Sequence, residues 1–195
     1  MNNKYFFTSV FIYLASGMLS LDIVINSVDA IYSGVIPGLF FILATLLSSA
    51  VCDVPLKKKD VIVYFILLYA AYLLLFSDVV FSGDPDLLMG SLTFGTGAVV
   101  AVYCYHSFIK KIGFHFWKSF VCGAMAFIAV TGLEASELIS VLSGDRVLFF
   151  LIVGLLWQLL VGSLIAAQAS GVVEKTVSPA HSFRQPYFTS SDHHG

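Results

Sequence analysis

In this 195-residue chain, Gln158 places a polar amide inside a long apolar segment. An amide surrounded by hydrocarbon needs hydrogen-bond partners, because burying it unpaired is costly. Hydroxyl groups on other apolar segments are candidate partners, namely those of Thr93, Thr96, Tyr69 and Tyr72, together with serines near the N-terminus. Two interpretations stay open: Gln158 joins helices through a hydrogen bond, or it contacts a polar solute.

Small residues recur at helical spacing on two of the apolar segments. One set comprises Gly90, Thr93, Gly97, Ala101 and Cys104, and the other comprises Gly154, Gln158, Gly162, Ala166 and Ser170. Steps of three and four residues place each set on one face of a helix. In lipid, a face of small side chains lets another helix approach closely. The two faces therefore either pack against neighbouring helices, or leave a cavity that a solute fills beside Gly90, Gly97, Gly154 and Gly162.

Cysteine and histidine side chains are scattered toward one end of the apolar segments, at Cys52, Cys104, His106, His115 and Cys122. Thiolate and imidazole groups bind zinc and copper. However, residues 104 and 106 point about 200° apart on a helix, so they cannot easily share one metal ion. The sequence therefore predicts neither a metal site nor a cofactor. A disulfide is not expected either, because the topology below places all three cysteines on the reducing, cytoplasmic side.

Groups that usually perform catalysis are missing from the centres of the apolar segments. No aspartate, glutamate, lysine or arginine lies there, whereas ion-coupled carriers usually place an ionisable group at depth. Neither a nucleophile elbow nor a phosphate-binding loop occurs in a suitable context. An enzyme is therefore the least favoured class of function, although the sequence leaves it open.

The composition predicts that lipid surrounds most of the chain. Hydrophobic residues make up 58% of it and charged residues 11%, whereas about 25% of residues in soluble domains are charged. The mean hydropathy is +0.92. Apolar segments of about 20 residues match the thickness of a bilayer's hydrocarbon core. We therefore predict an all-α fold, a polytopic transmembrane bundle with six spans at about 5–25, 31–51, 61–77, 87–109, 118–138 and 147–168.

The first span has a competing interpretation as a cleaved signal peptide, which would leave five spans. Lys4 would then form the basic start, and the small residues 15–17 would form the cleavage site. A retained helix is favoured because apolar residues continue after Asp22. Residues 1–170 form the predicted membrane domain, and the polar segment 171–195 is expected to be a poorly ordered cytoplasmic tail.

The distribution of basic residues predicts the orientation in the membrane. Nine of the ten fall on the side of the N-terminus: Lys4, Lys57, Lys58, Lys59, Lys110, Lys111, Lys118, Lys175 and Arg184. The opposite side has only Arg146. Since basic residues concentrate in cytoplasmic loops, we expect cytoplasmic N- and C-termini and a location in a bacterial inner (plasma) membrane.

The sequence suggests two classes of function. Its loops are too short for a separate catalytic domain, so any activity belongs to the bundle or to a partner. The first hypothesis is a small-solute binding or transport subunit that works with a partner. The alternative is a non-catalytic interaction protein, of an assembly, exclusion or immunity type, that acts by helix packing. The expected partners are the lipid bilayer and either a membrane protein or a second copy of the chain. Nucleic acid is not expected, because the chain has no basic tract.

Overall fold

The residues that the structure describes form six α-helices in chain order. The computed structural model describes residues 3–26, 31–81, 87–110, 114–135 and 146–170. The helices are α1 (Asn3–Ile25), α2 (Ile31–Val51), α3 (Lys58–Phe81), α4 (Leu87–Cys104), α5 (Phe116–Ala135) and α6 (Arg146–Ala169). All regular structure in these ranges is helical, which confirms the all-α prediction for them. The predicted tail, 171–195, lies outside the described residues.

Within the described ranges, four helices are long and apolar enough to cross a bilayer. Their candidate spans are Asn3–Ile25, Leu87–Ile109, Phe116–Ala135 and Leu148–Ala169. Ile36–Val51 in α2 is apolar but shorter. The four helices indicate a membrane location, whereas the count of six spans stays a prediction.

The distribution of polar and apolar side chains also fits a lipid environment. Large apolar side chains face outward, and Phe7, Phe11, Leu74, Leu88 and Trp117 are each at least 66% exposed. Several polar side chains are buried, namely Ser9, Ser20, Thr45, Ser48, Ser49, Ser119 and Gln158. Soluble proteins rarely expose apolar patches of this extent. An outer surface of this kind suits contact with acyl chains.

The helices form a closed bundle in which α6 has the most neighbours. It contacts α1, α2, α4 and α5, while α4 makes its most extensive interface with α5. The third helix packs against α2 and α4. Among the described residues, α3 and α6 make few close contacts with each other, so these two helices leave a gap inside the bundle.

A compact turn ends α2 and directs the chain into α3. Asp53 adopts a left-handed conformation with φ 54°, which short polar residues tolerate. Its N–H donates to Ala50 O, and the N–H of Val54 donates to Ser49 O. These two bonds form a Schellman motif, which satisfies carbonyls that the helix end leaves unpaired.

The cytoplasmic end of α4, in the predicted topology, continues into a π-helical turn over Tyr105–Ile109. The N–H of Lys110 donates to Tyr105 O at 3.1 Å and closes the turn. The Lys110 Nζ then donates to Ala169 O at 2.7 Å. A cation at the last carbonyls of a helix is favourable, so Lys110 ties the end of α4 to the end of α6.

Candidate functional site

A small cavity lies between α3, α4 and α6, where α3 and α6 have few contacts. Four of its lining residues are candidates from the sequence: Tyr72, Thr93, Gly97 and Gly154. The remaining lining residues are Leu68, Ala71, Phe94 and Trp157. The cavity volume is about 30 Å³, and a water molecule needs about 10–15 Å³ by this measure. The space therefore holds about two water-sized groups.

Gly154 creates part of this space. A Cβ atom built on Gly154 would have no heavy atom within 4 Å beyond its own helix and chain neighbours. Two other lining residues are held together across α4 and α6, since Trp157 Nε1 donates to Phe94 O at 2.9 Å. Apolar groups dominate the lining, and Tyr72 and Thr93 are its hydroxyl-bearing residues. This arrangement suits a small neutral molecule with at most a few polar atoms.

Gly90 and Gly162 have a different role, because they make room for aromatic rings. A Cβ atom on Gly90 would collide with the ring of Phe127, and one on Gly162 would collide with the ring of Tyr13. The phenyl rings of Phe94 and Phe127 stack beside Gly90 with their centroids 5.6 Å apart. The four predicted glycines therefore divide between helix packing and the cavity.

Two other candidate residues lie away from the cavity lining. Thr96 is exposed on the outer side of α4. Tyr69 is partly buried and stacks on Phe65, with ring centroids 5.9 Å apart. Neither side chain contributes to the cavity walls.

Gln158 is 1% exposed and joins α6 to α2. Its Nε2 donates to the Pro37 carbonyl at 2.9 Å, an acceptor that was not among the partners predicted from the sequence. Its Oε1 faces Gly17 on α1 and has no hydrogen-bond partner among the described residues. Gln158 does not line the cavity, so its observed contact is with helices.

We expect Gln158→Leu to destabilise the bundle by ~0.6–2 kcal/mol, the range for hydrogen bonds between membrane helices. Gln158→Met keeps the length of the side chain and also removes the donor. Both variants should lower the unfolding midpoint in detergent, measured by circular dichroism. An unchanged midpoint for both would show that this hydrogen bond does not hold the helices together.

A cluster of buried hydroxyl groups, not predicted as a site, joins α1, α2 and the π-helical turn. Tyr13 OH donates to Thr45 Oγ1 at 3.1 Å, and Thr45 Oγ1 donates to Phe41 O at 2.9 Å. Ser49 Oγ donates to Thr45 O at 2.7 Å and lies 3.1 Å from Tyr105 OH. Since the Ser49 proton is already used, Tyr105 must be the donor to Ser49. Both tyrosines thus act as donors, and each chain of hydrogen bonds ends at a carbonyl of α2.

Part of this cluster has a signal in the sequence. Hydroxyl residues at helical spacing mark the buried faces of α1 and α2, including Ser9, Tyr13, Thr45 and Ser49. Tyr105 is the first residue of the π-helical turn, a feature that residue types do not predict. Functional sites often contain such turns.

We expect Tyr105→Phe to destabilise the protein by about 1 kcal/mol, because it removes a buried interhelical hydrogen bond. The matched control is Tyr64→Phe. Tyr64 is also 0% exposed and meets the Tyr105 ring edge to face, but its hydroxyl has no partner among the described residues. Removing an unpaired buried hydroxyl should be neutral or stabilising. Equal losses in thermal unfolding for both variants would contradict this assignment.

The three cysteines are free. Cys52 Sγ is 3.6 Å from Ser9 Oγ, and Cys122 Sγ is 3.7 Å from Leu160 O. Within the described ranges, no group of three histidine, cysteine, aspartate or glutamate residues is arranged to hold a metal ion.

Comparison of the chain with protein-family models, curated proteins and solved structures found no match. Function must therefore be inferred from the geometry of the helices. The hydroxyl cluster mostly satisfies its own hydrogen bonds, whereas the cavity has space beside Gly154. The cavity is thus the stronger candidate for binding another molecule.

Proposed function

We propose that the chain is a six-span integral membrane protein, with cytoplasmic termini, that binds or transports a small neutral solute together with a partner protein. The single observation that carries this proposal is the cavity between α3, α4 and α6. Four residues chosen from sequence pattern alone, on three separate helices, line it: Tyr72, Thr93, Gly97 and Gly154.

The cavity's size implies that the bundle opens when a solute binds. At about 30 Å³ it admits only water-sized groups. The third helix has few contacts with α6. Separating α3 from α6 should therefore require less free energy than separating α1, α2, α4 or α5 from α6. A partner protein would supply the energy for directional transport.

A non-catalytic interaction protein has less support from this geometry. That hypothesis requires the small faces of α4 and α6 to be exposed to a partner helix. Gly90 and Gly162 are instead buried against the rings of Phe127 and Tyr13. A membrane-protein partner or a second copy would therefore have to dock elsewhere on the bundle.

The solute proposal is tested by comparing small molecules extracted from the protein after purification from its native membrane. Gly154→Val fills the cavity, and Gly132→Val is the matched control because Gly132 is exposed and has open space around it. We expect mass spectrometry to detect a small molecule that is retained by the wild type and the control and lost from Gly154→Val. Identical profiles for all three proteins would overturn the proposal.

The proposed topology has a separate test in reporter fusions placed after Lys59 and Asp86. We expect a cytoplasmic reporter to be active at position 59 and a periplasmic reporter at position 86, because basic residues remain on the inner side. Activity of the periplasmic reporter at position 59 would overturn the orientation.

A further inference from the structure

An open apolar groove runs along the outer surface between α5 and α6. It has a volume of about 750 Å³. The α5 side is formed by Trp117, Lys118, Val121, Cys122, Met125 and Ala129, and the α6 side by Leu156, Leu160 and Leu164. Small side chains at Cys122 and Ala129 alternate with larger ones, which gives the groove its depth. Trp117, Val121 and Met125 are 72%, 53% and 47% exposed, so the groove opens to the surroundings of the bundle.

The groove's length matches one leaflet of a bilayer. From Lys118 to Ala129 the rise along α5 is about 16 Å, at 1.5 Å per residue. Half of a bilayer's hydrocarbon core is about 15 Å. A partner helix that crossed the membrane would need a contact surface about twice as long, whereas a single acyl chain ends within one leaflet.

The two ends of the groove differ in charge. Lys118 lies in the first turn of α5 and lines one end, while the rest of the lining is uncharged. Lys118 is exposed, and no acidic residue is among the residues that line the groove. Beside it, the exposed indole of Trp117 is a side chain typical of the membrane interface. A cation and an indole at the interface, above an apolar groove one leaflet deep, match an anionic headgroup above an acyl chain.

We propose that the α5–α6 groove is a binding site for an anionic phospholipid of the inner leaflet. One acyl chain lies between Cys122, Ala129 and the leucines of α6, and the phosphate pairs with the Lys118 ammonium group. This site lies on the outer surface of the bundle, so it is independent of the solute cavity.

The test uses the full chain in a mild detergent with equal amounts of dioleoylphosphatidylglycerol and dioleoylphosphatidylcholine. Native mass spectrometry should show one phosphatidylglycerol per chain in preference to phosphatidylcholine. Lys118→Gln should lower phosphatidylglycerol retention about five-fold, since a basic residue near an anionic lipid surface contributes about 1 kcal/mol. Lys59→Gln, at an exposed lysine outside the groove, should leave retention unchanged.

A second variant tests the apolar part of the groove. Ala129→Leu fills its floor at a partly exposed position and should reduce retention of both lipids while the melting temperature stays within a few degrees of the wild type. Equal retention of the two lipids by the wild type would overturn the proposal, as would equal effects of Lys118→Gln and Lys59→Gln. A dimer that excludes phosphatidylglycerol would also overturn it, by assigning the groove to a second copy of the chain.

Discussion

Gly123→Ala is expected to destabilise the protein by about 3 kcal/mol, the upper part of the usual range for overpacking a core. A Cβ atom at this position would collide with the carbonyl oxygen of Phe94 and lie 2.5 Å from Ala98 Cβ. A backbone atom cannot rotate away, so α4 and α5 would have to separate along their extensive interface. The Phe94 carbonyl also accepts the Trp157 hydrogen bond. Moving this carbonyl should therefore also displace the residues that line the cavity.

The control for this variant lies on the same helix. Gly132 is exposed and a Cβ atom there would meet no heavy atom within 4 Å. Gly132→Ala should therefore be neutral or stabilising by up to ~1 kcal/mol, the difference in helix propensity. Unfolding in a fixed detergent, followed by circular dichroism, compares the two variants. Equal shifts of the unfolding midpoint for Gly123→Ala and Gly132→Ala would contradict the close approach of α4 and α5 at Gly123.

The second large effect is expected at Gly162, where alanine should cost about 2 kcal/mol by overpacking. The new methyl group would collide with the Tyr13 ring. Tyr13 is 0% exposed and bonded to Thr45 at 3.1 Å, so its ring cannot move without breaking that hydrogen bond. The change should therefore disturb the hydroxyl cluster as well as the α1–α6 interface.

Gly154→Ala, two turns away on the same helix, should act in the opposite direction. Its methyl group enters empty space, and alanine favours the helix by up to ~1 kcal/mol over glycine. A raised melting temperature for Gly154→Ala and a lowered one for Gly162→Ala would support the division between cavity and packing glycines. Loss of stability in both would show that the space beside Gly154 is not present in the protein.

Residue pattern was sufficient for those parts of the fold that depend on local properties. Apolar segments predict helices because a chain in lipid must pair its own backbone groups. Spacing of three and four residues also predicted the faces that carry Thr93, Gly97 and Gly154, and these residues do meet at the cavity.

The partners of these faces could not be predicted, because spacing identifies a helix face and not its neighbour. Gln158 bonds to the carbonyl of Pro37, and since every residue has a carbonyl, composition does not single this one out. A glycine's role likewise depends on the size of the opposite side chain, which is why Gly162 meets a ring and Gly154 meets empty space. Gly123 was not predicted at all, since its contact is with the backbone of α4.

The π-helical turn at the end of α4 has a consequence for the position of Lys110. A turn closed by an i+5 hydrogen bond accommodates one residue more than an α-helical turn. Each residue rotates a helix by about 100°, so the extra residue changes the direction of everything that follows it. Lys110 reaches the Ala169 carbonyl from this position. The contact between the ends of α4 and α6 thus depends on the one extra residue in this turn. Deleting one residue from the turn would rotate Lys110 away from its acceptor.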